Sequence, residues 1–311
     1  MRYRGDLPQL DGGTFITDGG METTLIFHQG LELPEFASFV LLDDADGVEA
    51  LRDYYRPYID IARERGVGIL LDTPTWRANR DWGERLGYSA DALADVNRRG
   101  VALLEELRAE LGDEPPLVIS GCVGPRGDGY RADERMSAAE AEAYHLPQIA
   151  TFADTTADLV SALTLTYADE ATGIARAALR AGIPVVISFT VETDGRLPSG
   201  ESLADAVAEV DAETNGAAAY FMINCAHPTH FEHVLDEVGA LAGRIRGIRA
   251  NASTKSHAEL DELDELDAGD PSDLAARYRV LRDHLPQLNV VGGCCGTDER
   301  HIGEICRAFV A

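Results

Sequence analysis

Short apolar runs recur along the chain, each closed by polar or turn-forming residues. They are FITDGG (15–20), GILLDTPT (68–75), LVISGCVGP (117–125), DLVSALTLT (158–166), PVVISFTV (184–191), AAYFMINC (218–225), IRGIRANAS (245–253) and NVVGGCCGT (289–297). Several are apolar without alternation, the pattern of strands buried on both faces. Between them lie stretches of helical periodicity over 48–66, 89–112, 169–182, 201–216, 229–243 and 270–285. Gly66, Gly112, Gly182, Gly216 and Gly243 stand at the ends of helical stretches, where a residue that accepts positive φ closes a helix. Eight strands alternating with helices in 311 residues predict an α/β fold of the (β/α)8 TIM-barrel type, with a doubly wound open sheet as the rival. No repeat or low-complexity linker divides the chain, so a single domain over residues 1–311 is expected.

The chemistry-bearing residues fall at the C-terminal ends of these runs: Asp18-Gly19-Gly20, Asp72-Thr73, Ser120-Gly121-Cys122, Ser188-Phe189-Thr190, Asn224-Cys225 and Cys294-Cys295. In a parallel barrel those ends share one face, where active sites are built. Cys225, Cys294 and Cys295 would therefore meet there. Three thiolates with a fourth position open are the donor set of a catalytic zinc site, since structural sites are closed by four protein ligands. The competing readings are small buried hydrophobes and a disulfide between the adjacent pair, a strained geometry. Cys122 and Cys306 read as packing residues.

Composition narrows the partners. Hydrophobic residues make up 45% and charged ones 26%, an ordinary globular balance, with no run approaching the ~20 apolar residues of a membrane helix. Fifty-four acidic against 27 basic residues give a formal charge of -27, which repels phosphate backbones and argues against nucleic acid. The opening residues MRYRGDLPQLDGG lack the apolar core of a secretory signal, so a cytoplasmic location is expected. In that compartment five cysteines are not a disulfide framework. The acidic run ELDELDELDAGD (259–270) reads as a solvated helix or loop face.

The segments DGGMET (18–23), SGCVGPRGD (120–128), SFT (188–190), NC (224–225) and GGCCGT (292–297) occur in that order. Together they resemble the homocysteine S-methyltransferase family across residues 15 to 310. That family includes betaine–homocysteine and S-methylmethionine–homocysteine methyltransferases and the homocysteine domains of folate-dependent methionine synthases. The resemblance implies a (β/α)8 barrel with one zinc ion per chain on Cys225, Cys294 and Cys295. It implies methyl transfer from a sulfonium or quaternary-ammonium donor to a small-molecule thiol, with homocysteine the leading acceptor and methionine the product. The zinc would bind the substrate sulfur and lower its pKa, so no protein nucleophile is required. Asp18 would lie near the substrate amine and donor, with Gly19 and Gly20 allowing close backbone approach. Thr75, Ser120, Thr190 and Asn224 are further candidate substrate contacts. Trp76, with Trp82, is a candidate cage for a cationic donor, and Arg77 at the mouth could read a carboxylate.

One position departs from the family. Its fourth strand usually ends in a Glu-Thr pair whose glutamate binds the homocysteine ammonium. Here DLVSALTLTYADEA (158–171) puts Leu163 and Thr164 at those places. A leucine cannot pair with an ammonium, and losing a charge-assisted hydrogen bond costs ~1.5–3 kcal/mol. Leu163 and Arg77 together point to a changed acceptor or donor: another thiol or selenol, or another methyl source, handled by the same chemistry. A barrel that binds zinc and ligand without turnover is the alternative from a different class.

Overall fold

Each of the apolar runs contributes a strand: β1 (Phe15–Ile16), β2 (Gly68–Asp72), β3 (Leu117–Val123), β4 (Leu159–Leu165), β5 (Val185–Phe189), β6 (Ala218–Asn224), β7 (Ile245–Ala250) and β8 (Val290–Gly293). In the computed structural model, which describes residues 2–262 and 265–310, they pair in parallel in chain order, and β8 closes on β1. The closed ring is a (β/α)8 barrel, so the open-sheet alternative is set aside.

Strand residues are buried on both faces, and the period of two sorts them. Phe15, Leu70, Val118, Leu159, Val186, Met222 and Val290 cluster with Leu7 inside the barrel. Their neighbours Ile16, Ile69, Leu71, Ile119, Val160 and Ile187 join the larger core beneath the helices. Two residues further along, the inward positions turn polar: Asp72, Ser120, Ser161, Ser188 and Asn224, all buried. The barrel is thus an apolar plug at its N-terminal end and a polar chamber at the other.

The helices that cover the ring are α1 (Ala45–Arg65), α2 (Ala90–Leu111), α3 (Ala138–Ala153), α4 (Ala168–Ala181), α5 (Leu203–Thr214), α6 (Pro271–His284) and α7 (Glu299–Val310). Four of their starts carry side-chain caps: Asp44, Ser89, Ser202 and Asp270 each accept a backbone N–H. Helix α3, which hydrophobic periodicity does not single out, opens on a capping box between Ser137 and Glu140. Gly66 and Gly182 take the left-handed C-cap expected of them. At the end of α5 Asn215 takes it, one residue before Gly216. The helix expected over 229–243 is instead a chain of short turns between 228 and 244, broken where Phe231 (φ -133°), Val234 (φ -101°) and Gly239 (φ 53°) depart from regular helical geometry; Gly243 ends no long helix. Cys306 packs in the core from α7, as expected.

Residues 263 and 264 of the acidic run lie outside the described residues. Within the rest, Asp267 is not merely solvated: it accepts from Ser253 Oγ at 2.8 Å and pairs with Lys255. Among the described residues no helix is long and apolar enough to cross a membrane.

Candidate metal centre and its cavity

The three cysteine sulfurs converge at the C-terminal end of the barrel. The Sγ atoms of Cys225, Cys294 and Cys295 all lie within 4.8 Å of one another, and the three residues line one cavity. Cys225 follows β6 directly; its φ of 53° is a left-handed conformation that a non-glycine residue adopts only when its surroundings hold it. They do. Its N–H donates to Arg249 O, and its carbonyl accepts from Asn251 Nδ2 at 3.0 Å and His257 Nε2 at 2.5 Å, with Thr190 Oγ1 at 3.4 Å. Cys294 follows β8, its N–H donating to Ala250 O and its carbonyl accepting from Thr297 N and Oγ1. Gly292 and Gly293 lead into that corner because a Cβ on either would collide with Thr17 or Thr297.

Cys225 and Cys294 are joined as a disulfide, with Cα atoms 5.3 Å apart. The bond links the distant cysteines and not the adjacent pair. Sulfurs brought together from two strand ends can bond to each other or share a metal, so oxidation and metal binding compete for the same atoms. In the thiol state the donor set is three soft sulfurs at a cavity wall, which suits a thiophilic metal. Cys295 has Tyr130 Oη 3.6 Å from its sulfur.

Beside the cysteines, Asn224 locks the end of β4. Its Oδ1 accepts from Thr164 N at 2.9 Å and Ser188 Oγ at 2.6 Å, and its Nδ2 donates to Thr164 Oγ1 at 2.8 Å. Thr164 also sits in the left-handed region, at φ 64°. Both residues line the cavity with Leu163, Trp76, Cys122, Gly19 and Gly20. A Cβ on Gly20 would come 2.6 Å from Cys294 O, and one on Gly19 would come 2.7 Å from Thr297 O, so these glycines let the β1 turn press on the cysteine corner.

The floor of the cavity carries a buried ion triad. Arg249 of β7 donates Nη2 to Asp18, Nη1 to Asp72 and Nε to Gly293 O. Asp18 also accepts from Tyr54 Oη at 3.0 Å. Burial pushes the Asp18 carboxyl up to about 6, against the pull of Arg249; Asp72 is raised for the same reason. Arg249 is absent from the sequence-derived candidates.

Other expected contacts resolve differently. Thr75 donates to Cys122 O, Ser120 Oγ bonds Ser161 Oγ, and Thr190 reaches the Cys225 carbonyl; none of the three lines the cavity. Their hydroxyls brace strand ends. Arg77 stacks between Trp82, 3.6 Å from the ring centroid, and Trp76 at 4.3 Å. Arg85 lies on Trp82 as well. The ring of Trp82 therefore holds protein cations and lines neither the metal-side cavity nor the vestibule outside it. Trp76 lines both, and that vestibule, about 350 Å³, is completed by Phe27, Phe36, Arg77, Tyr130 and His257.

The homocysteine S-methyltransferase family model matches residues 15–309. Methionine synthase of Mycobacterium tuberculosis is 27% identical over 239 residues, which cover 70% of this chain but 18% of that much longer protein. Among solved structures, the metallated form of the homocysteine methyltransferase MmuM from Escherichia coli superposes with a TM-score of 0.75 at 21% identity, covering 95% of this chain and 96% of that one. Its oxidized form gives 0.74 at 22% identity, with the same coverage. At these identities the superpositions establish the barrel fold.

Proposed function

This chain belongs to the homocysteine S-methyltransferase family, and from that premise we propose that it moves a methyl group from a sulfonium or quaternary-ammonium donor to a thiol, with homocysteine the leading acceptor. The observation that carries the reading is the convergence of Cys225, Cys294 and Cys295 within 4.8 Å on the wall of a cavity at the active end of a barrel. In their thiolate form these residues would hold one zinc ion per chain. Bound there, zinc supplies Lewis acidity that makes a thiol a thiolate near neutral pH, the form that attacks a methyl carbon.

The chain's own side chains do the rest. Leu163, Trp76 and the Pro74 backbone turn wall the inner cavity and keep water from the sulfur. Asn224 fixes the strand end that flanks it. Asp18, held by Arg249 and Tyr54, contributes negative potential where a cationic donor or an ammonium would sit. Trp76, Phe36 and Tyr130 line the route by which the donor's methyl group reaches the cavity, and Arg77 stands at the mouth for a carboxylate. No side chain is needed as a nucleophile.

Metal analysis of the reduced protein should return about one zinc per chain. A screen of thiols against S-methylmethionine, S-adenosylmethionine, betaine and dimethylsulfoniopropionate should yield a methylated thiol. Zinc without transfer for any pair overturns the activity; absence of zinc overturns the mechanism.

A further inference from the structure

The inner cavity is lined by three carboxylates, Asp18, Glu22 and Asp72, and by one guanidinium, Arg249. Its local charge therefore favours the cationic end of a ligand. The carboxylates are not equally available. Asp18 is taken on one oxygen by Arg249 and on the other by Tyr54. Asp72 pairs with Arg249 through Oδ2, and its Oδ1 is sealed in protein without a hydrogen bond. Glu22 differs. Its Oε1 accepts from Ser38 Oγ at 2.7 Å, and no second side chain bonds it among the described residues. Its own backbone N–H also reaches the carboxylate, but it is half-buried on the cavity wall and carries no ion pair among the described residues, so it keeps capacity for a cation arriving in the cavity.

We propose that Glu22 reads the α-ammonium of an amino-acid acceptor in this protein, from the opposite wall to the family's usual glutamate, whose place Leu163 takes; this rests on thiol methylation as the function of the site. The β4 wall is closed to that role. Leu163 is apolar, 8% exposed, and its carbonyl accepts from Trp76 Nε1 at 3.2 Å. Glu22 instead rides on the helical turn Met21–Thr23, which is pinned to the cysteine corner. Gly20 N donates to Thr297 O at 3.0 Å, and Thr23 Oγ1 accepts from Gly296 N at 3.2 Å. The carboxylate and the sulfur cluster are thus parts of one rigid piece, as reading both ends of a short thiol amino acid requires. Burial raises the Glu22 carboxyl above its ordinary value, and a cation arriving beside it would pull it back down and favour the charged form.

The test is calorimetric titration of the reduced, zinc-loaded full chain with L-homocysteine and with its des-amino counterpart, 4-sulfanylbutanoate. Wild type should prefer homocysteine. Glu22→Gln keeps the side chain's shape and the acceptor for Ser38. It should weaken homocysteine roughly 10- to 100-fold, the range of one charge-assisted hydrogen bond, and leave 4-sulfanylbutanoate within about twofold. Retained binding of the des-amino ligand also shows that the variant is folded. Equal binding of the two ligands by wild type, or a variant that keeps the wild-type preference, overturns the assignment. Thiol-methylation assays on the same samples separate the two levels. Transfer without any preference for homocysteine removes Glu22's role alone. A Glu22-dependent preference with no transfer to any thiol supports the ammonium site and overturns the methylation.

Discussion

Arg249 and Asp18 lie 231 residues apart in the chain and form a buried ion pair across the mouth of the barrel. The other arm of the guanidinium holds Asp72, so β7 is tied to the ends of β1 and β2 at once. Removing one partner of such a network leaves charge buried without compensation. Arg249→Met should destabilise the protein by ~3–5 kcal/mol in urea denaturation. Adding Asp18→Asn and Asp72→Asn should recover most of that loss. If Arg249→Met alone is neutral, the triad is not under electrostatic tension.

The Asp18 carboxyl, raised to about 6 chiefly by burial, sets a pH dependence. The folded state holds this proton more tightly than the unfolded chain, so between about pH 4 and 6 folding takes up a proton. Stability therefore falls as pH rises through that window, and the cost is complete above it. Compared with Asp18→Asn, wild type should lose on the order of 3 kcal/mol between pH 4 and pH 7. Parallel stability–pH curves for the two proteins would remove Asp18 as the source.

The cysteine cluster predicts a redox-dependent metal site. In the disulfide form a thiol titration of the denatured protein should count three groups, Cys122, Cys295 and Cys306, and zinc should not bind. Reduction should raise the count to five and restore about one zinc per chain. Cys294→Ser should lose zinc and methyl transfer while its far-UV circular dichroism stays that of wild type. Stoichiometric zinc in the oxidised protein would contradict this.

Asn224→Ala removes the side chain that holds Thr164 by two hydrogen bonds and accepts a third from Ser188. Thr164 N and Ser188 Oγ would be left without their buried partner, at ~1–3 kcal/mol each in the unrelaxed limit. The expected result is a lower melting temperature together with a fall in kcat, because the wall beside Cys225 moves. A variant that melts earlier but keeps wild-type kcat would make Asn224 purely structural.

The barrel was readable because strands buried on both faces appear as unbroken apolar runs, and each of those runs became a stave. Helix α3 escaped periodicity; its evidence was the Ser137–Glu140 capping box. The segment 229–243 looked helical because its apolar residues have the right spacing, and spacing does not register the backbone breaks at Phe231, Val234 and Gly239. At the site, the cysteines stood out by residue type, and Leu163 only through the family resemblance, as a leucine where a glutamate is usual. Thr75, Ser120 and Thr190 did not sort by type, since a hydroxyl at a strand end can face ligand or brace a neighbour. Arg249 does leave a trace in the sequence: Arg246 and Arg249 are three apart in one strand, so they occupy opposite faces, and one of them must enter the barrel.

The ring is closed by a stave only two residues long: β1 pairs through Phe15 and Ile16 with β2 on one side and β8 on the other. A seam that short has few amides to resist local opening. Arg249 reaches over it, past β8, to grip the residue two positions beyond β1. The buried charges that cost stability therefore act as a clasp, making the weakest seam open only together with the rest of the barrel. Amide exchange at Ile16 and Thr17 should accordingly follow global unfolding in wild type and separate from it once Arg249 is gone.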